Sequence, residues 1–232
     1  MPRYTAPMTD RSLIARQAIL EAMLPLAAFD GWTAKSLRDA VANTDLPKGS
    51  DALYFPDGPL EVIGFWAQQM DGVARDEIAK LNQETMKIRD KVTSGVWAHL
   101  KAIGPHDEAA RRALARLSLL DALGQGPQQL WASADMIWRA IGDTSTDANY
   151  YSKRAILSGV IASTLAVWIS DNSDDKIKSR EFLDARIANV MQFEKAKWDM
   201  KSRTKNWPNP AELLGALRYG GTGKRHRRRR RG

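Results

Sequence analysis

Cysteine is absent from the 232 residues, and histidine occurs three times. The first absence excludes disulfides, thiolate metal sites and thiol nucleophiles, and it is compatible with a reducing compartment. His99, His106 and His226 are too scattered to suggest a shared metal ion. Long apolar runs are missing too. The longest, Ala155 to Ile169, is interrupted by Ser158, Gly159, Ser163 and Thr164 and falls short of the roughly 20 residues that cross a bilayer. It reads as a buried core helix. The first ten residues lack the apolar stretch of a signal peptide. No segment alternates apolar and polar residues between hairpin turns, so no sheet is expected. No internal repeat is visible.

Catalytic motifs are equally scarce. Gly124-Gln125-Gly126 follows no strand and is itself followed by Pro127, so it is not a dinucleotide fingerprint. Gly223-Lys224 has Arg218 where a P-loop needs its upstream glycine, and Arg225 where Ser or Thr is required. Neither a zinc-protease His-Glu spacing nor a Gly-x-Ser-x-Gly elbow occurs. The pair Asp174-Asp175 lies in a polar turn and reads as a solvated loop and helix cap. The expectation is a protein without catalytic residues, metal or cofactor of its own.

What remains is helical periodicity. Ala15, Ile19, Ala22, Met23 and Leu26 fall on one face of a first helix that Gly31 ends. Thr33 can cap a second, with Leu37, Ala40 and Val41 inward, and a third runs from about Pro47 to Tyr54. Pro59 sits early in the next helix, where its missing amide costs little. Further helices are expected at about 60–82, 84–103, 107–123, 126–142, 147–171 and 176–203 by the same periodicity. In the 107–123 segment Ala113, Leu117 and Leu120 form the inner stripe, with Arg111, Arg112 and Arg116 outside it.

Net charge is +8, but Lys224 to Arg231 holds one Lys and six Arg without an acid. Without those seven, 28 basic residues face 27 acidic ones, so the basicity belongs to the tail. A breaker-rich hinge, Asn206 to Pro210, precedes a short helix-compatible piece carrying Leu213, Leu214, Leu217 and Tyr219.

Residues 11–66 place a long helix, two short helices around a turn, and Leu53-Tyr54-Phe55-Pro56 ahead of a fourth helix. The arrangement resembles the DNA-binding end of TetR-type repressors. Its charge does not suit a duplex, whose phosphates must be met by cations. From Asp30 to Asp57, Lys35, Arg38 and Lys48 face Asp30, Asp39, Asp45, Asp51 and Asp57, a net of −2. A retained scaffold is the favoured reading, and nucleic acid is an unfavoured partner.

The stretch Trp138-Arg139-Ala140-Ile141-Gly142-Asp143-Thr144-Ser145-Thr146-Asp147-Ala148-Asn149-Tyr150-Tyr151-Ser152-Lys153-Arg154-Ala155 resembles the signature of the ubiquinone (coenzyme Q) biosynthesis accessory family, lipid-binding proteins with a TetR-like fold. Glu181 to Ile187 and Leu53 to Pro59 are similar to further segments of that family. The resemblance implies an all-α, TetR-like helical bundle with an N-terminal helix-turn-helix-like three-helix subdomain at 10–57. A lipid-binding helical core would occupy 58–203, and a hinge, amphipathic segment and basic tail 204–232. It also implies a non-enzymatic role: binding an isoprenoid quinone intermediate, or a phospholipid, and presenting it to the demethoxyubiquinone hydroxylase, a di-iron enzyme. The expected assembly is a homodimer through the last two core helices, peripheral on the inner face of a bacterial membrane.

By that resemblance Ile137, Trp138, Tyr150, Tyr151 and Arg154 form the partner-binding patch, with Tyr150 standing where eukaryotic members carry Trp. From the residues alone, aromatics flanking the polar turn 142–147 are either core lids or the rigid anchors that interfaces favour. Expected lipid walls are Trp97, Leu117, Leu120, Leu165, Trp168, Phe182 and Ile187, the same stripe a solid core would need. Leu213, Leu214, Leu217 and Tyr219 would contact the membrane, aided by the Arg run at an anionic leaflet. The rival reading is a TetR-type ligand-responsive regulator; a second rival is a protein that meets nucleic acid through the Arg tail.

Overall fold

The computed structural model describes residues 10–146 and 148–204, with 193–204 described by backbone only. Helix α1 (Asp10–Asp30) buries Ala15, Ile19, Leu20, Met23, Leu24 and Ala27 along one face. It is long and apolar enough to cross a membrane, but this face packs on α2 and α6. Gly31, at φ 80°, ends it in the left-handed conformation that only glycine adopts at low cost. Helix α2 (Ala34–Ala42) begins where Thr33 accepts a bond from the Ser36 amide at 3.1 Å. Helix α3 (Ser50–Tyr54) has five residues, and α4 (Pro59–Ala79) starts with its proline in the first turn.

The expected boundary after Asp57 separates elements that share side-chain contacts. The Trp32 indole donates to the Ala109 carbonyl at 2.9 Å and stacks on Trp66 with ring centres 5.7 Å apart. Arg16 lies 4.5 and 4.7 Å from the Phe55 and Phe65 ring centres and bonds Glu61 at 3.1 Å. Buried Phe55 thus anchors the turn before α4, a contact of cation and aromatic faces.

Behind this end lie α5 (Ile88–Lys101), α6 (Asp107–Leu117), α7 (Gln125–Ala140), α8 (Ala148–Trp168) and α9 (Ile177–Thr204). Helix α4 packs on α5 and α7, and α7 in turn on α8. Gly95 makes the α5 approach possible: a Cβ there would stand 2.8 Å from Ile137 Cγ2 and 3.2 Å from Ile78 Cδ1. All described secondary structure is helical.

Two local departures from the periodicity matter. Helix α6 stops at Leu117, not near residue 123, because Ser118 turns its hydroxyl back to the Ala115 carbonyl and Arg116 grips Asp121 through two bonds of 2.9 and 2.7 Å. A 3-10 turn, Leu120–Ala122, follows; it buries Ala122 and leaves Leu119, Leu120 and Leu123 outside. The other departure is the turn before α9, where Asp175 and Lys176 both have positive φ (51° and 56°). Side chains without glycine's freedom are strained there. Lys176 compensates by binding Asp107 Oδ2 at 2.5 Å and the carbonyls of Asp171 and Trp168 at 2.8 and 3.1 Å.

The chain divides into two compact units between Ile187 and Ala188, a division that α9 crosses. The first unit contains every contact described here. Of the second, the described part is the remainder of α9, to Thr204.

Candidate functional site

The 138–155 stretch forms the end of α7, a turn and the start of α8. Two helices meeting at a polar turn leave carbonyls and charges that need partners. One arginine joins both acids of this turn. Arg154 is 1% exposed; its Nε donates to Asp135 Oδ1 at 2.5 Å, and its Nη1 to Asp143 Oδ2 and the Tyr150 carbonyl at 3.3 and 3.2 Å. Its guanidinium lies 3.5 Å from the Tyr150 ring centre. Lys153 reaches Asp143 at 2.6 Å and Ser145 at 2.8 Å, while Arg139 holds the other oxygen of Asp135 at 2.8 Å. The Tyr150 hydroxyl donates to Asp135 at 3.2 Å.

Burial alone pushes the Asp135 carboxyl up, but bonds from Arg154, Arg139 and Tyr150 outweigh it and hold the group below the ordinary carboxylate range. Asp143 behaves alike, with burial opposed by Lys153, Ser145 and Arg154. Both acids therefore stay ionised. The network fixes the turn and orients Tyr150.

Of the five residues expected to form the partner patch, Ile137 and Arg154 are buried and cannot touch a partner. They act from beneath: Ile137 as core, Arg154 as the cation that holds the turn. Trp138 is half-buried, its indole nitrogen donating to the Lys153 carbonyl at 3.2 Å. Tyr150 is half-buried and Tyr151 is 64% exposed, their rings edge to face at 5.1 Å. Trp131 completes the cluster, 6.3 Å from Tyr151. The presented aromatics are thus Trp131, Tyr150 and Tyr151. Trp131 escapes a sequence reading because it lies almost two turns upstream of the motif. Asp135 carried a signal in its i,i+4 spacing to Arg139.

The seven expected lipid-wall residues do not share one described cavity. Trp97 lines an open groove of about 480 Å³ between α4 and α5, with Val73, Ile78, Leu81, Ala98 and Ala102 as its apolar surface and Lys101, Glu77 and Arg180 among its polar lining. Trp168 is buried against Trp97, ring centres 5.2 Å apart, and its indole donates to Asp107 at 2.8 Å. Ile187 is buried; Leu117, Leu165 and Phe182 are half-buried. Leu120 is 86% exposed, so it walls no interior: the early end of α6 turned it outward. Leu213, Leu214, Leu217 and Tyr219 lie outside the described residues, as does the basic tail.

Residues 123–194 match the model of the COQ9 family. The chain is 28% identical over 190 residues to the rat mitochondrial ubiquinone biosynthesis protein COQ9, covering 79% of this chain and 61% of that protein. It is 28% identical over 208 residues to COQ9-A of Xenopus laevis (82% and 64%), and 21% identical over 189 to the probable Dictyostelium discoideum counterpart (79% and 62%). The chain therefore spans about three-fifths of the length of the curated relatives it matches. Among solved structures, a TetR transcriptional regulator from Nitrosomonas europaea superposes with a TM-score of 0.64 at 17% identity, over 76% of this chain and 98% of that one. At that identity the likeness concerns the fold alone, and the fold is TetR-like. The family resemblance read from 138–155 and 181–187 is borne out, since both segments lie inside the matched residues.

Proposed function

We propose that the chain is a lipid-binding accessory protein of ubiquinone biosynthesis, not an enzyme. In this reading it takes an isoprenoid quinone intermediate from a membrane surface and presents it to a di-iron hydroxylase that performs the oxidation. The observation that carries the reading is the match over residues 123–194, a stretch that contains the Arg154 network and the Tyr150–Tyr151 pair. The groove beside Trp97 supports it: its size falls in the range of ligand sites, and its apolar lining with Lys101 and Arg180 suits an amphipathic lipid. Such a site need not be tight. Burying a prenyl chain gains about 0.8 kcal/mol per methylene against water, but almost nothing against a bilayer that is equally apolar. Exchange is reversible on that ground, as presentation requires. The homodimer and the membrane contact through residues 213–219 are parts of the same proposal.

Native mass spectrometry of the purified protein, followed by lipid extraction, tests the reading. The expected result is co-purified isoprenoid or phospholipid that is depleted when Trp97 is replaced by Glu. Recovery of no lipid under conditions that preserve bound ligands would count decisively against it.

The rival, a ligand-responsive regulator, draws on the TetR-like fold alone. Its α3 is five residues long and begins with Ser50-Asp51, a poor instrument for a phosphate backbone.

A further inference from the structure

A second groove, of about 440 Å³, runs between α4 and α7 directly beside the aromatic cluster. It is lined by Arg75, Ala132, Asp135, Met136, Arg139 and Ala140. Two guanidinium groups on different helices thus border an apolar floor. The one acid among the six is already committed: Asp135 gives one oxygen to Arg154 and Tyr150 and the other to Arg139.

Counting the connected charges, Asp135 and Asp143 face Arg139, Lys153 and Arg154, a surplus of one cation to which Arg75 adds another. Arg75 has no ion pair among the described residues, nor an acid three or four places away on the outer face of α4: Asp71, at i−4, is buried and faces His99 at 3.0 Å. Asp76, its neighbour in sequence, does not line the groove. Arg139 pairs with Asp135 through Nε, also interacts with Tyr150, and keeps 68% of its side chain exposed.

We propose that this groove accepts an Asp or Glu side chain of a protein partner, gripped between Arg75 and Arg139, while Trp131, Tyr150 and Tyr151 take the apolar surface beside it. The inference deepens the proposed presentation role, on which its choice of a protein partner rests. Continuity argues for one footprint. Tyr150 and Arg139 bond opposite oxygens of the same carboxylate, so the aromatic patch and the cationic groove are joined through Asp135. Rigid aromatics next to arginine are the composition of interface anchors. Arginine's planar fork matches a carboxylate with two parallel bonds.

The test is a titration of the full chain with two probes: the di-iron hydroxylase, and a fluorescent glutamate-rich amphipathic peptide with its glutamine counterpart. Wild type should bind the glutamate peptide roughly tenfold more tightly than the glutamine one at low salt. Arg75→Glu should abolish that preference, and Arg75→Gln should halve it or more. Both variants should melt as wild type does, since Arg75 is exposed and has no ion pair among the described residues. The preference should also fade as salt rises, because rim charges are screened. Equal binding of the two peptides by wild type would overturn the groove's role. So would hydroxylase affinity that is unchanged in Arg75→Glu yet lost in Tyr151→Ala; the presentation role would survive that result. If the hydroxylase fails to bind wild type while the peptides are still discriminated, the presentation role falls and the carboxylate groove stands. Loss of binding to phosphatidylglycerol vesicles in Arg75→Glu, with no peptide preference, would assign the groove to lipid phosphate and overturn the proposal.

Discussion

Arg154 shows how a single side chain can be visible in a sequence and misread there. It stands beside Lys153 just ahead of the apolar run that begins at Ala155, and only coordinates place it beneath the surface with Asp135 and Asp143 around it. Removing one member of a buried ion cluster leaves the others uncompensated. Arg154→Met should cost toward the lower end of about 3–5 kcal/mol, because Arg139 and Lys153 still serve the two acids. Urea unfolding measures the loss.

Asp171 carries a pH signature. Burial would raise its pKa, but the hydroxyls and amides of Ser173 and Ser179 overcome this and hold it well below the ordinary carboxylate value. A depressed folded pKa stabilises fully above the unfolded value of about 3.9 and loses that stabilisation as pH falls through the folded one. Asp171→Asn should therefore lose about 1–2 kcal/mol at neutral pH, as loss of a helix cap does. The gap to wild type should narrow below pH 4. A gap independent of pH would assign the stability to packing instead.

Among elements, the helices were legible, as were several of their ends, such as the Thr33 cap of α2 and Pro59 at the start of α4; the end of α6 was not. Apolar spacing marks α2 correctly: Leu37, Ala40 and Val41 are buried as expected. In α6 the stripe from Ala113 to Leu120 follows helical spacing, yet the helix stops at Leu117 and its last member faces solvent. The Arg116–Asp121 pair that fixes this turn spans five residues, a spacing that helical periodicity does not reward. The α5–α7 contact hinges on Gly95, which in sequence is merely a weak helix former. Alanine there would gain helix propensity of about 1 kcal/mol but force buried, β-branched Ile137 to shift, at a cost of about 1–3 kcal/mol. The expected outcome of Gly95→Ala is a net loss near 1 kcal/mol by thermal or urea unfolding. A stabilised variant would mean the two helices can part without penalty.

At the scale of the whole molecule, the positive charge is concentrated in sequence far from the three-helix end. The TetR-like scaffold keeps its three-helix end, but residues 30–57 carry a net charge of −2 while the strongly basic segment lies past residue 223. Retention on duplex DNA should therefore be salt-sensitive, unspecific in sequence and lost when 224–232 are deleted. Footprinting that shows protection of a defined site, insensitive to that deletion, would favour the regulator.

The sequence by itself determined helix over sheet, the order of the elements, the acidic helix-turn-helix and the family motif. All of these follow from local spacing, composition and short-range chemistry. Only the tertiary structure decided which aromatics reach the surface, that Leu120 faces out, that Arg154 lies within, and that Arg75 stands across a groove from Arg139. Those outcomes depend on contacts between residues far apart in the chain, such as Asp135 with Arg154 and Gly95 with Ile137. Periodicity cannot encode them, because it specifies which face of a helix is buried and leaves open which helix it will meet.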